Sequence, residues 1–182
     1  MSLPSLGNAV ALIESPLPAY NFFVDFDAPN LTTLQAIEIA AMAAGGFAEC
    51  KGLGAELEVM PYAEGGVNDF VHQLPVRHSW GRITLRRGVV LDVALWSWYQ
   101  AGLTGALGAR RNGAITLCDE RGLPALRWAF RGGLAAKWFG PELSAGQGAV
   151  AIDGIEIVHE GLELQPGAGV VGAVIGLSGV AG

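Results

Sequence analysis

Side chains that could act as metal ligands or nucleophiles are few and widely separated in this sequence. The three histidines, His72, His78 and His159, include no pair at the four-residue spacing that places two ligands on one helix face. Cys50 and Cys118 lie far apart, and neither belongs to a Cys-x-x-Cys pattern, the signature of zinc sites and redox-active disulfides. We therefore expect no metal centre and two buried, reduced thiols.

Two glycine-containing segments have the appearance of phosphate-binding loops. Gly52–Gly54 begins like a dinucleotide-binding fingerprint, but position 57 is leucine and a strand pattern follows instead of a helix. Glu64–Gly66 lacks the Gly-Lys-Ser/Thr ending, and we interpret it as a tight turn with left-handed backbone. Because no segment assembles a nucleophile, a base and an orienting group, we predict a protein that is not an enzyme and binds no cofactor.

Charged side chains alternate with apolar ones, with the period of a strand, in Ala55–Met60 and in Gly81–Arg86. Successive side chains of a strand point to opposite faces, so each segment is predicted to have one polar and one apolar face. A solvated or channel-lining surface explains the carboxylates Glu56 and Glu58 better than a catalytic acid–base pair does. Salt bridges between subunits explain the basic cluster Arg82–Arg87 better than nucleic-acid binding does. The polar members of the two faces are Glu56, Glu58, Arg82, Thr84 and Arg86.

The composition indicates a folded protein that buries surface against other subunits. Of the 182 residues, 51% are hydrophobic and 15% are charged, and the mean hydropathy is +0.39. These values exclude an intrinsically disordered chain. The net charge of −6 argues against general binding to a phosphate backbone. The 27 glycines show no Gly-X-Y period and are typical of a turn-rich β protein.

Hydrophobic periodicity predicts a mainly β fold. Asp119–Gly122 is the predicted turn of a hairpin, and Asp92–Gly102 is predicted to be a helix that Asp92 caps. Because the strands do not alternate with helices, we expect two packed antiparallel sheets, a sandwich or barrel, with one flanking helix. The predicted strands are Tyr20–Asp27, Ala55–Met60, Gly81–Arg86, Ala114–Cys118, Ala125–Arg131, Val150–Asp153, Gly154–Val158 and Leu162–Leu164.

Three segments lie outside this strand pattern. Residues 1–19 are predicted to be an N-terminal extension without a secretory signal, because prolines interrupt them. Asn30–Gly46 is predicted to be a short helix or an inserted loop. Residues 165–182 form a glycine-rich tail whose composition does not fit a membrane span, so we expect no membrane contact. The β domain is expected over residues 20–164.

Six segments appear in an order that resembles a known family. Together they are similar to the tail-tube proteins of contractile phages and phage-derived contractile injection systems, over about residues 20–164. The most specific parts are the Tyr-x-Glu-Gly-Gly-x-Asn element at 62–68 and the Ile-x-His-Glu-Gly-Leu element at 157–162. The six segments are Gly45–Leu53, Glu56–Asn68, Trp80–Gly88, Leu95–Tyr99, Trp128–Pro141 and Val150–Leu162.

The resemblance implies a ring of six subunits whose sheets join into a continuous inner β-barrel. Rings would stack into a hollow tube inside a contractile sheath, with sheath proteins, baseplate or hub proteins and cargo as partners. The particle would be assembled in the bacterial cytoplasm. In such a ring we expect Glu64, Gly65, Gly66 and Asn68 at a subunit contact. The lumen candidates are the five polar residues Glu56, Glu58, Arg82, Thr84 and Arg86.

Two alternatives stay open at this point. Asn30–Gly46 and the tail after Leu164 are extra relative to an ordinary tube subunit, which favours a tube-initiating ring near the baseplate. A small β-barrel that binds a ligand, with no role in a tail, is the other alternative, and it would show a closed apolar pocket.

Overall fold

The computed structural model describes residues 16–27, 46–65, 69–105, 109–146 and 148–166. Most of the predicted insert (30–45), residues 1–15 and residues 167–182 therefore lie outside the described residues. The described part contains nine strands and one helix. In chain order they are β1 Phe22–Phe26, β2 Glu49–Lys51, β3 Ala55–Tyr62, β4 His72–Trp80, β5 Ile83–Gly88, α1 Ala94–Leu103, β6 Arg111–Cys118, β7 Pro124–Phe139, β8 Ile152–Val158 and β9 Gly161–Pro166.

Strand β7 belongs to two sheets. Its first half, to Arg131, pairs with β6 and β9, and its second half, from Leu134, pairs with β8. Sheet A therefore has the order β1-β6-β7-β9, and sheet B has the order β7-β8-β5-β2. All pairings are antiparallel. The predicted fold class, two packed antiparallel sheets with one helix, is confirmed.

The core lies between the sheets and is closed by the helix. Trp98 of α1 is fully buried, packs edge-on against Phe26 with the ring centroids 5.3 Å apart, and donates its Nε1–H to the Ala109 carbonyl at 2.6 Å. A buried indole is stable in an apolar core because its single polar group is hydrogen-bonded. The other large core residues alternate along the strands, as the period-two pattern predicted: Val24, Ile83, Leu85, Ile115, Phe130, Ile155 and Ile157.

A buried ion-pair cluster joins three elements behind sheet B. Arg87 of β5 is 0% exposed; its Nη2 lies 2.9 Å from Asp92 Oδ1, and its Nε lies 3.3 Å from Asp153 Oδ1. Asp92 Oδ1 also accepts the Ala94 N–H at 2.9 Å. The N-cap residue of α1 is Val93, so the predicted cap is wrong by one residue, although Asp92 does accept the first N–H of the helix. Burial raises the pKa of Asp153, and the Arg87 guanidinium opposes that shift. The interpretation of Arg87 as part of a basic cluster that forms salt bridges between subunits is therefore wrong, because its partners Asp92 and Asp153 belong to the same chain.

Strand β4 was not predicted, because its sequence lacks clean alternation and contains Pro75. Proline is tolerated there because the register shifts between Glu58 and Val59, a bulge that brings Pro75 opposite Val59. The segments Val150–Asp153 and Gly154–Val158 were predicted as separate strands, whereas Ile152–Val158 forms one strand. The predicted turn at Asp119–Gly122 is confirmed, and Asp119 Oδ1 accepts the N–H groups of Arg121 and Leu123.

Removing the buried guanidinium should strongly destabilise the fold. Arg87→Ala leaves two carboxylates without their cation, and breaking a buried pair costs about 3–5 kcal/mol of unfolding free energy. The control is Arg82→Ala, whose side chain is 65% exposed and pairs with Glu156 at the surface; its loss should be about 1 kcal/mol or less. Chemical denaturation measures both changes, and equal losses would contradict the assigned role of Arg87.

Candidate functional site: a projecting hairpin

Strands β2 to β5 form one long hairpin whose ladder is interrupted in the middle. Lys51 pairs with Thr84 in sheet B, and Ala55 pairs with Trp80 in the outer part, so both strands advance by four residues across the break. Within the break, the Gly81 N–H donates to the Gly54 carbonyl at 2.9 Å. The outer part, β3 with β4, is a two-stranded sheet of its own. We call it the projecting hairpin.

Two glycines allow the chains to approach closely at the break. Gly52 has a φ of 88°, and a Cβ placed there would lie 1.8 Å from the Arg82 carbonyl oxygen. A Cβ on Gly81 would lie 2.7 Å from the Gly52 carbonyl oxygen. Any other residue at position 52 would meet both a steric clash and a strained backbone. Gly52, the first glycine of the Gly52–Gly54 pattern, therefore permits a close approach of two backbones.

His159 holds the base of the projecting hairpin against the rest of the domain. It follows β8, and its Nε2 lies 3.0 Å from the Gly81 carbonyl oxygen, so Nε2 carries the proton that is donated. The His159 ring centroid lies 6.0 Å from that of Trp80 and 6.3 Å from that of the core residue Phe130. The Ile-x-His-Glu-Gly-Leu element thus connects the break in the hairpin to the core.

The projecting hairpin is exposed on both of its faces. Along one face Glu56 pairs with Ser79 and Glu58 with Arg77, whereas Leu57 on the other face pairs with His78. A two-stranded hairpin in water is marginally stable, and a large exposed apolar patch marks an interaction site. Large apolar side chains are exposed along the strands and in the loop that joins them: Leu57, Val59, Met60, Tyr62, Phe70, Val71, Leu74 and Val76.

The predicted alternation of the polar residues is confirmed, and it places them in two locations. Arg82, Thr84 and Arg86 lie on the outer face of sheet B, while the intervening residues Ile83 and Leu85 are completely buried. The Arg82 guanidinium lies 2.8 Å from Glu156, and that of Arg86 lies 3.8 Å from Glu49. Glu56 and Glu58, by contrast, belong to the projecting hairpin.

Of the predicted contact residues, Glu64 and Gly65 follow β3 at the far end of the projecting hairpin. Glu64 Oε2 is 3.2 Å from His72 Nε2. The expectation of left-handed backbone is wrong for Gly65, whose φ is outside that region and whose surroundings are open within 4 Å. Gly66 and Asn68 lie outside the described residues.

An apolar groove of about 360 Å³ opens beside β2. Cys50 lines it, and burial raises the pKa of this thiol to about 11. Of the remaining lining residues, the apolar ones are Leu17, Ala19, Phe22, Ala48, Leu53, Ile115, Leu117 and Trp128.

Within the described ranges, histidine, cysteine, aspartate and glutamate form no cluster of three that could hold a metal ion. No helix in the same ranges is long and apolar enough to span a membrane.

The family model of the T4-like virus tail tube protein gp19 matches residues 18–163. The chain belongs to this family. The predicted resemblance to tail-tube proteins is confirmed. Among curated proteins, none matches the chain significantly.

Solved tube and baseplate structures have the same fold. A chain of the anti-feeding prophage baseplate is 24% identical with a TM-score of 0.68, over 84% of this chain and 97% of that one. A chain of the PVC sheath-tube complex, from an extracellular contractile injection system in the extended state, is 19% identical with a TM-score of 0.65, over 91% and 99%. A chain of the anti-feeding prophage tube-terminating cap is 19% identical with a TM-score of 0.64, over 84% and 93%.

Substituting Gly52 should detach the projecting hairpin from its fixed position. In Gly52→Ala the left-handed backbone alone costs roughly 1–3 kcal/mol, and the new Cβ collides with the Arg82 carbonyl. We expect faster tryptic cleavage at Arg77 in β4 while the circular dichroism of the sandwich is retained. Gly54→Ala is the control, since a Cβ there meets no atom within 4 Å. Equal cleavage rates for the two variants would contradict the role assigned to the close approach of Gly52 and Arg82.

The Cys50 thiol should react slowly at neutral pH. With a pKa of about 11, the reactive thiolate is scarce at pH 8, and its fraction rises about tenfold per pH unit toward pH 11. Peptide mass spectrometry after iodoacetamide treatment measures this rate, and the unfolded chain, with an ordinary thiol pKa of about 8.5, is the control. A folded-state rate that levels off near pH 9 would show that the thiol is not held in an apolar site.

Proposed function

We propose that this chain forms rings of six that stack into the inner tube of a phage tail-like contractile injection system, a conduit for cargo. The observation that carries the proposal is the projecting hairpin, which exposes apolar side chains on a member of the tail tube family. Leu57 and Val59 are 56% and 47% exposed. Both become buried if the hairpin packs against a neighbouring copy.

The sheet edges support association with further copies. Among the described strands, β1 and β9 are the edges of sheet A, and β2 is an edge of sheet B. Unpaired edges are ready to add strands from another chain, and a closed ring removes them. When a patch on one copy meets a different patch on the next, the contact closes into a ring if its rotation allows.

The outer face of sheet B is the proposed wall of the lumen. Its strands β2 and β5 continue along the chain into the projecting hairpin, so this face adjoins the surface proposed to contact a neighbouring copy. Its other face cannot meet solvent because Ile83, Leu85 and Ile155 are completely buried there. Arg82, Thr84 and Arg86 then line the lumen in sheet B. Glu56 and Glu58 belong to the projecting hairpin and not to this face, so their place in the lumen stays a prediction from the sequence.

A tube-initiating ring beside the baseplate is the second candidate. It is supported by the similarity to a chain of the anti-feeding prophage baseplate. In either position the partners are other tube rings, sheath and baseplate or hub proteins, and the protein is a non-enzymatic component assembled in the bacterial cytoplasm.

Charges on the apolar face of the hairpin should abolish rings without unfolding the subunit. Leu57→Asp with Val59→Asp removes the apolar contact, whereas the residues contribute nothing to the core. We expect unchanged thermal unfolding, only monomers by native mass spectrometry, and no rings in negative-stain micrographs.

The matched control is Glu56→Lys with Glu58→Lys on the opposite face of the same strand. Exposed charges contribute about 0–1 kcal/mol each, so this variant should still form rings. Ring formation by the aspartate variant would refute the hairpin as the contact. Loss of rings in the lysine variant would place Glu56 and Glu58 in a subunit interface instead of the lumen.

A further inference from the structure

The outer face of sheet B is basic, although the whole chain has a net charge of −6. Antiparallel pairing brings together side chains from β2, β5, β7 and β8, where Glu49 pairs with Arg86, Lys51 with Thr84, and Thr84 and Lys137 with Glu156. This face therefore has four cations and two carboxylates, a net charge of +2 per copy. The cations are Lys51, Arg82, Arg86 and Lys137.

Both carboxylates on this face are already paired with its cations. Glu156 accepts a hydrogen bond from Arg82 at 2.8 Å, and Glu49 pairs with both Lys51 and Arg86. The side chain of Lys51 is 71% exposed. The positive charge that these pairs leave over is available to a ligand from solvent.

The aromatic ring of Phe139, at the end of β7, contacts two of the cations. Lys137 Nζ lies 4.6 Å from the centroid of the Phe139 ring, and the Arg86 guanidinium carbon lies 5.3 Å from it. Cation–π contacts of this kind position a charged group without neutralising it. The Phe139 ring therefore fixes Arg86 and Lys137 side by side on the sheet.

Sheet A has no comparable surface. On its outer face Arg127 forms a bidentate ion pair with Asp25, at 2.9 and 3.0 Å, so the two charges cancel. Arg131 and Glu163 also lie on the strands of this sheet, and their charges are of opposite sign. The outer face of sheet A therefore has cations and carboxylates in balance, unlike the outer face of sheet B.

We infer that the outer face of sheet B is a binding surface for acidic polypeptide cargo. The inference rests on the proposed function, in which this face lines the lumen. Six copies with two excess positive charges each give a ring about twelve positive charges, and an enclosed wall of one sign concentrates ligands of the other sign. Nucleic acid fits less well, because a phosphate backbone is densely charged and needs many cations to neutralise it, whereas each copy has only two cations in excess on this face.

The test measures co-sedimentation of fluorescent probes with assembled tubes, after micrographs have established that the tubes are present. The probes are short poly-glutamate, poly-lysine of equal length, and single-stranded DNA. In the test variant, Arg86→Gln with Lys137→Gln, the face becomes neutral. In the control variant, Arg110→Gln with Arg121→Gln, the chain loses the same charge at exposed sites outside the face.

Parent and control tubes should retain poly-glutamate at low salt, and the test variant should retain about tenfold less. High salt should release the probe from parent tubes, because it screens exposed charges. Tubes that form but retain poly-glutamate no better than the test variant would overturn this inference alone. Stronger retention of DNA than of poly-glutamate would overturn it in favour of a nucleic-acid conduit. Absence of rings in every preparation would overturn the proposed function, and this inference with it.

Discussion

The structure depends on the close approach of two backbones at Gly52 and Gly81. A Cβ on either residue would collide with a carbonyl oxygen of the facing chain, at 1.8 Å and 2.7 Å. The close approach interrupts the hydrogen-bonded ladder without changing its register. One hairpin can therefore be part of the core sheet at its base and project from the domain at its tip. His159 stabilises this arrangement through the Gly81 carbonyl, so the hairpin is held in a defined place instead of swinging freely.

The break in the hairpin lies between the residues that stabilise the subunit and the exposed residues that we propose for assembly. Inside the domain, Trp98 fills the core, and the buried Arg87 ties β5 to the start of α1 and to β8. Outside it, the projecting hairpin exposes residues such as Leu57, which contribute nothing to that core. The core therefore does not depend on the exposed apolar side chains of the hairpin, which leaves them free for the proposed contact with further copies. That combination suits a member of the tail tube family.

Buried and exposed charges also differ in how completely they are paired. The buried cation Arg87 is matched by Asp92 and Asp153, because an unpaired charge in the core would be very costly. The exposed cations of sheet B are matched only in part, since solvent tolerates the excess. Strand alternation explains how adjacent residues of β5 serve these opposite purposes: Arg86 points outward, and Arg87 points into the protein.

The sequence by itself determined the fold class, most strands, the helix, and the family. These depend on local periodicity, on turn residues such as Asp119 and on short motifs, which neighbouring residues are sufficient to specify. Only the tertiary structure decided that β7 is shared by two sheets, that Pro75 lies in a strand, that Arg87 is buried and that Gly52 faces Arg82. Each of these depends on which distant segment becomes the neighbour. Long-range pairing sets that choice, and local spacing does not encode it.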